Sequence, residues 1–166
     1  MTGIGDWVDA AVVATVAVAA QALEREASVL AGGEVGAPFD APFGAYVPLS
    51  SSDSAVQFGI VAEFSDCEGL ARILLGMGDG EPFESEGDVA DAVGEIANMV
   101  AGAIKTRMNA EVPDIVLGLP LCVRGTIQAQ GVEQVVTELG LGAMRMHVVV
   151  LRSSTHAAKV RSRPAL

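Results

Sequence analysis

The stretch of this 166-residue chain whose residue types can do chemistry is SEGDVADAVGEIANMVAGAIKTRMN, Ser85 to Asn109. It carries a carboxylate, Glu95, a carboxamide, Asn98, and a second carboxylate, Asp91, one turn earlier. Each residue of an α-helix advances about 100° around the axis. Asp91, Glu95, Asn98, Gly102, Lys105 and Asn109 therefore fall on one line of a single long helix. Such a line can offer charge and hydrogen bonds to something that approaches closely. The chain shows no phosphate-cradling P-loop, no nucleophile elbow and no Cys/His zinc spacing. The acidic residues between 79 and 91 fit no cation-loop rule and read as solvated charge. No metal site of its own is expected.

The elements that must hold this line are legible around it. Val89, Val93, Ile96, Val100 and Ile104 fall on the opposite side and form a broad apolar face. Ala90, Gly94, Ala97 and Ala101 form a small-residue stripe between the two. Ser85 followed three residues later by Asp88 is a capping-box-like start. Glu84, Glu86 and Asp88 suit the positive end of the helix dipole, and Lys105 and Arg107 suit the negative end. Gly94 and Gly102 each cost the helix about 1 kcal/mol relative to Ala, and Asn is a mediocre residue within it. Two readings fit: a solvated face with glycines for tight packing, or a face presented to a partner.

Asp91-x-x-x-Glu95-x-x-Asn98, within DAVGEIANMVAGAIK, resembles the signature of the CheC/CheX/FliY phosphatases of bacterial chemotaxis. LPLCVRG, Leu119 to Gly125, is similar to the family's Pro-containing strand after the helix. VQFGIVAEFSDCEGLARILLGM resembles its upstream strand-then-helix unit. The similarity covers roughly residues 50 to 152. Only one copy of the motif is present. In the first helix, Asp9 is followed by Val13 and Val16 where Glu and Asn would stand. A single copy resembles the CheX branch, which implies a homodimer, with an exposed edge strand as a physical route to pairing.

The resemblance implies hydrolysis of the aspartyl phosphate on a CheY-like response regulator. The phosphatase would need no cofactor of its own, because the Mg²⁺ sits on the partner. Phosphoryl transfer is catalysed largely by positioning and electrostatics. Asn98 would orient the attacking water through its uncharged carboxamide. Glu95 would clamp the partner's active-site Lys, Asp91 would extend the docking contact, and Gly94 and Gly102 would let partner loops reach the helix. The alternative is a non-catalytic CheX-like module that binds a receiver domain or another signalling partner.

Composition bounds the remainder. Hydrophobic residues make up 51% of the chain, so it folds. A net charge of −11 argues against nonspecific nucleic-acid binding, which depends on Lys and Arg. Cys67 and Cys122 form no pair and are expected reduced, in a cytoplasmic protein. Ala10 to Leu23 is uncharged but too short to span a membrane and has acidic flanks, so a half-buried helix is expected.

The pattern predicts helix over Asp6 to about Leu30, a loop over Ala31 to Gly44, and a strand at Tyr46 to Ser51 that Pro48 restricts to an edge or a bulge. Ala55 to Phe64 alternates as a strand, and a short helix follows, capped by Ser65 or Asp66 and ending near Leu75. Beyond the long helix, Ile115 to Arg124 alternates with Ile115, Leu117, Leu119, Leu121 and Val123 aligned. Glu133 to Leu139 and Ala143 to Leu151 make a hairpin, with His147 on its surface. The expected architecture is α+β: a layered, mostly antiparallel sheet with the motif-bearing helix packed on it. One domain, 1–152, is expected, followed by a basic tail, 153–166 (His156, Lys159, Arg161, Arg163).

Overall fold

A computed structural model describes residues 2–34, 42–125 and 131–153. The expected basic tail lies outside these beyond Ser153. The element order is α1 (Ile4–Ala22), β1 (Ala27–Glu34), β2 (Pro42–Ser50), β3 (Ala55–Glu63), α2 (Phe64–Leu75), α3 (Glu86–Met108), β4 (Val116–Leu117), β5 (Leu121–Arg124), β6 (Val132–Leu141) and β7 (Met144–Ser153). The strands form one sheet in the order β1-β6-β7-β3-β2-β4, with β5 also on β2, and every pairing is antiparallel. The α+β expectation is met.

The sheet's alternation decides where the helices sit. Val56, Phe58, Ile60 and Ala62 of β3 point into one core with Met146, Val148 and Val150 of β7. Trp7, Ala11, Ala14 and Val18 of α1, Cys67 and Leu70 of α2, and the apolar side of α3 complete that core. On the other face Tyr46, Val61, Val136, Val149 and Leu151 form a second, strand-only cluster. By length and composition α1 is long and apolar enough to cross a membrane. It instead buries seven residues against α3 and the sheet.

Several boundaries differ from the sequence pattern. α1 stops at Ala22 because Glu24 takes a left-handed backbone (φ 52°) and the Arg25 N–H returns to the Ala19 carbonyl at 3.0 Å. The stretch read as the end of this helix and the start of a loop is β1, an edge strand whose register shifts between Val29 and Ala31. That irregularity breaks the alternation that would have marked it. β2 begins at Pro42 and lies within the sheet, not at its edge. Pro48 is tolerated because its carbonyl, and therefore its missing N–H, face the gap between β4 and β5, where the Gly118 N–H bonds to it at 2.9 Å.

The 115–124 strand is two short pieces, interrupted at Gly118-Leu119-Pro120. Proline at 48 and at 120 removes ladder donors from both sides of this junction. Ile115 is buried, but Leu119 and Leu121 are 88% and 64% exposed. Leu121 pairs with Tyr46, so it shares the sheet face that none of the described helices covers. The β6–β7 turn is Gly142-Ala143, with Gly142 at φ 60° as a two-residue hairpin with glycine first requires.

His147 points to the helix-free face as its parity demands, but it is buried, not on the surface. Its register partners are Val61 and Glu138, and Nε2 stands 4.0 Å from Glu138 Oε2. Burial lowers the imidazole pKa, and the Glu138 charge opposes this in part. Arg145 also faces Glu138, at 3.6 Å. A histidine with a depressed folded-state pKa contributes stability above its unfolded value, about 6.5, and loses it as the pH falls further. Between about pH 7.5 and 5.5 the melting temperature of the wild type should therefore fall more than that of His147→Gln. On the same face Gly59 lies under the Tyr46 ring, and an added Cβ would come within 2.5 Å of it. Gly59→Ala should cost about 1–3 kcal/mol in denaturant unfolding, since the ring must move.

Candidate functional site

The Ser85 cap forms as its sequence implies. Asp88 Oδ2 accepts from the N–H groups of Glu84 at 3.1 Å and Ser85 at 3.4 Å. From there α3 runs without interruption through Met108. Val89, Val93, Ile96, Val100 and Ile104 are all 2% exposed or less. That burial fixes the rotation of α3 about its axis. As a result Asp91, Glu95, Asn98, Lys105 and Asn109 are exposed and Gly102 is half-buried. Among the described residues, neither Glu95 nor Asn98 has a side-chain partner. An unsatisfied carboxylate and carboxamide in water, one turn apart on a rigid helix, can receive a partner's cation and a hydrogen-bonded water.

The two glycines differ. Gly94 is buried, and a Cβ there would sit 3.6 Å from Pro120 and 3.8 Å from Cys122. A partner approaching Gly94 therefore meets the 120–122 segment. At Gly102 an added Cβ would meet nothing within 4 Å. Close access to the helix backbone exists at Gly102.

Sequence reasoning did not bring β5 to this site. The Cys122 thiol donates to the Ala90 carbonyl at 3.2 Å. Its pKa is raised by burial first and by the nearby Asp91 charge second, so it is a poor nucleophile at neutral pH. Cys67, fully buried in the core, is pushed up to about 12 by burial, with Asp66 adding to the effect. Arg124 bonds Glu86 at 2.6 Å in an exposed pair. The Arg124 guanidinium lies 5.5 and 5.2 Å from the Phe43 and Phe64 ring centroids, and those rings meet edge to face. The first turn of α3 is thereby tied to the sheet. The one available signal was the parity of Pro120 and Cys122, opposite to that of the leucines. Among the described residues, no group of three His, Cys, Asp or Glu side chains could hold a metal ion.

The family model described as Chemotaxis phosphatase CheX matches residues 58–138. That span runs from β3 through all of α3 into β6. No curated protein matches the sequence. Among solved structures, CheX from Vibrio vulnificus has a TM-score of 0.71 at 16% identity, over 89% of this chain and 99% of that chain. The CheX-CheY-BeF3-Mg²⁺ complex from Borrelia burgdorferi has 0.72 at 18%, over 89% and 98%. The FliM-SpeE complex from H. pylori has 0.64 at 14%, over 96% and 93%. At these identities the structural likeness shows a shared fold.

Because the outward line takes no part in the core, Glu95→Ala and Asn98→Ala should each change unfolding free energy by no more than about 0.5 kcal/mol. Gly102→Ala should stabilise α3 by up to about 1 kcal/mol in the same assay. A loss of 2 kcal/mol or more in either polar variant would show a structural role.

Proposed function

We propose that this chain, a CheX-like member of the CheC/CheX/FliY chemotaxis phosphatases, hydrolyses the aspartyl phosphate of a CheY-like receiver by inserting the outward line of α3 into the receiver's phosphorylated pocket. The observation that supports this best is the pairing of exposed Glu95 and Asn98, unpartnered among the described residues, on one unbroken helix inside the segment that the family model matches. The CheX-CheY-BeF3-Mg²⁺ neighbour supports a receiver as partner and supports Mg²⁺ on that partner.

The water oxygen forms a bond to phosphorus as the bond from phosphorus to the aspartyl oxygen breaks. The receiver regains its carboxylate, and inorganic phosphate leaves with the water's protons. The Asn98 carboxamide oxygen accepts a hydrogen bond from that water and holds it in line. Being uncharged, it does not repel the phosphoryl oxygens, as an Asp at 98 would. Glu95 pairs with the receiver's active-site Lys, and Asp91 extends the contact. The backbone at Gly102 admits a receiver loop. Mg²⁺ on the receiver supplies charge neutralisation. The chain itself contributes position and needs no cofactor. A homodimer would have its route along β1, an outer strand with Val29 and Leu30 half exposed. The setting is the cytoplasm, where receivers work.

The fold alone does not select hydrolysis, since a chain of the FliM-SpeE complex from H. pylori shares it. A docking module without turnover is therefore the second reading. Decay of a phosphorylated receiver, measured with and without the protein, separates the two. Decay should accelerate with the wild type. Asn98→Ala should lose about 10²-fold of that gain while still binding the beryllofluoride-activated receiver. Glu95→Ala should weaken both binding and decay. Equal decay with wild type and Asn98→Ala would exclude the water-orienting role and leave docking.

A further inference from the structure

Gly118-Leu119-Pro120 is the break between β4 and β5, and it is clamped from two sides. On one side the Gly118 N–H donates to the Pro48 carbonyl at 2.9 Å, and a Cβ added at Gly118 would run into the Pro48 ring. Only glycine lets the backbone lie so close to β2. On the other side Pro120 stands against α3, where a Cβ added at Gly94 would sit 3.6 Å from the Pro120 Cβ. Two residues on, the Cys122 thiol bonds the Ala90 carbonyl at 3.2 Å.

Leu119 lies between these clamps and is 88% exposed. No large apolar side chain among the described residues is more exposed. An exposed leucine alone means little. This one is carried on a backbone that both neighbours fix, so it is presented at small further cost in conformational freedom. It also has a particular place. Gly94 adjoins Glu95 in the chain and lies one turn from Asn98 on the same side of the helix. Pro120 is therefore packed beside the polar line, and the Leu119 Cα is only about 3.8 Å from that of Pro120.

Charge gives this position a use. The chain carries a net charge of −11. A receiver pocket that holds Mg²⁺ beside an aspartate is itself built from carboxylates. Two such surfaces repel as they approach, and Glu95 on the receiver's Lys is a single ion pair. Burial of an apolar side chain is an attraction that charge does not oppose and salt does not screen.

We propose that Leu119 is the apolar anchor of the receiver-docking surface, seated in an apolar depression beside the phosphorylated pocket while Glu95 and Asn98 enter the pocket itself. The proposal rests on the phosphatase reading of α3. Leu119 touches no reacting atom, so it sets affinity and not the rate of the chemical step. Leu121 lies outside this surface, because it faces the side of the sheet that none of the described helices covers.

The test compares Leu119→Ala, Leu119→Asp, Leu119→Met and Leu121→Ala with the wild type. Binding is measured to a beryllofluoride-activated CheY-like receiver, and decay with the phosphorylated one. Melting temperatures should match the wild type, since both leucines are exposed. Leu119→Ala should weaken affinity about tenfold and Leu119→Asp by more, while Leu119→Met stays within about twofold. The receiver concentration for half-maximal decay should rise in step, with the saturated rate within about twofold of the wild type. The Leu119→Ala loss should be equal at low and high salt, whereas the Glu95→Ala loss should shrink at high salt. Leu121→Ala should bind as the wild type does. Unchanged affinity in both Leu119→Ala and Leu119→Asp overturns the proposal. An equal loss in Leu121→Ala also overturns it, by moving the contact to the helix-free face. If Glu95→Ala weakens binding and Asn98→Ala abolishes acceleration while the Leu119 variants behave normally, the phosphatase reading stands and the anchor falls. If Glu95→Ala and Asn98→Ala both behave as the wild type, the α3 reading fails and the proposal falls with it.

Discussion

Everything at the site depends on the rotation of α3 about its own axis. Five β-branched residues, Val89, Val93, Ile96, Val100 and Ile104, are almost wholly buried against the sheet and the other helices. Withdrawing each from water is worth about 1.5–3 kcal/mol. A twist of the helix by even one residue step would expose part of that face and bury Glu95 or Asn98 without a partner. A buried carboxylate with no counter-charge is strongly disfavoured. The apolar contact therefore sets the direction of two polar side chains that it never touches.

The sheet supplies the second constraint. Its alternation puts the three described helices on one face, and the segment 120–124 reaches α3 through Pro120, Cys122 and Arg124. The short strand pins the first three turns of α3, where Asp91 and Glu95 stand. A site that works by position needs such support more than it needs reactive groups.

The sequence made α3 legible almost to the residue, because cap, dipole charges and apolar period all agreed from Ser85 to Asn109. The central strand β3 and the β6–β7 hairpin were legible for the same reason. The end of α1 was not, because Leu23-Glu24-Arg25-Glu26 are good helix formers and the left-handed turn falls on Glu24, not on a glycine. β1 was hidden by its register shift, and the break in the 115–124 segment by an alternation that runs on through Gly118-Leu119-Pro120. His147 had the right parity, but its burial depends on Val61 and Glu138, neighbours that only the register reveals. The exposed pair was visible as a pattern. That none of the described residues engages it was visible only in three dimensions.

The central claim is that Asn98 reaches the phosphorylated centre of the partner. It is tested most directly by a structure of this chain bound to its receiver activated with beryllofluoride and Mg²⁺. The account predicts the Asn98 carboxamide within hydrogen-bonding reach of the water position opposite the aspartyl–beryllium bond, with Glu95 on the receiver's Lys. A complex docked through a sheet edge, the helix-free face or α1, with Asn98 left in solvent, would contradict it.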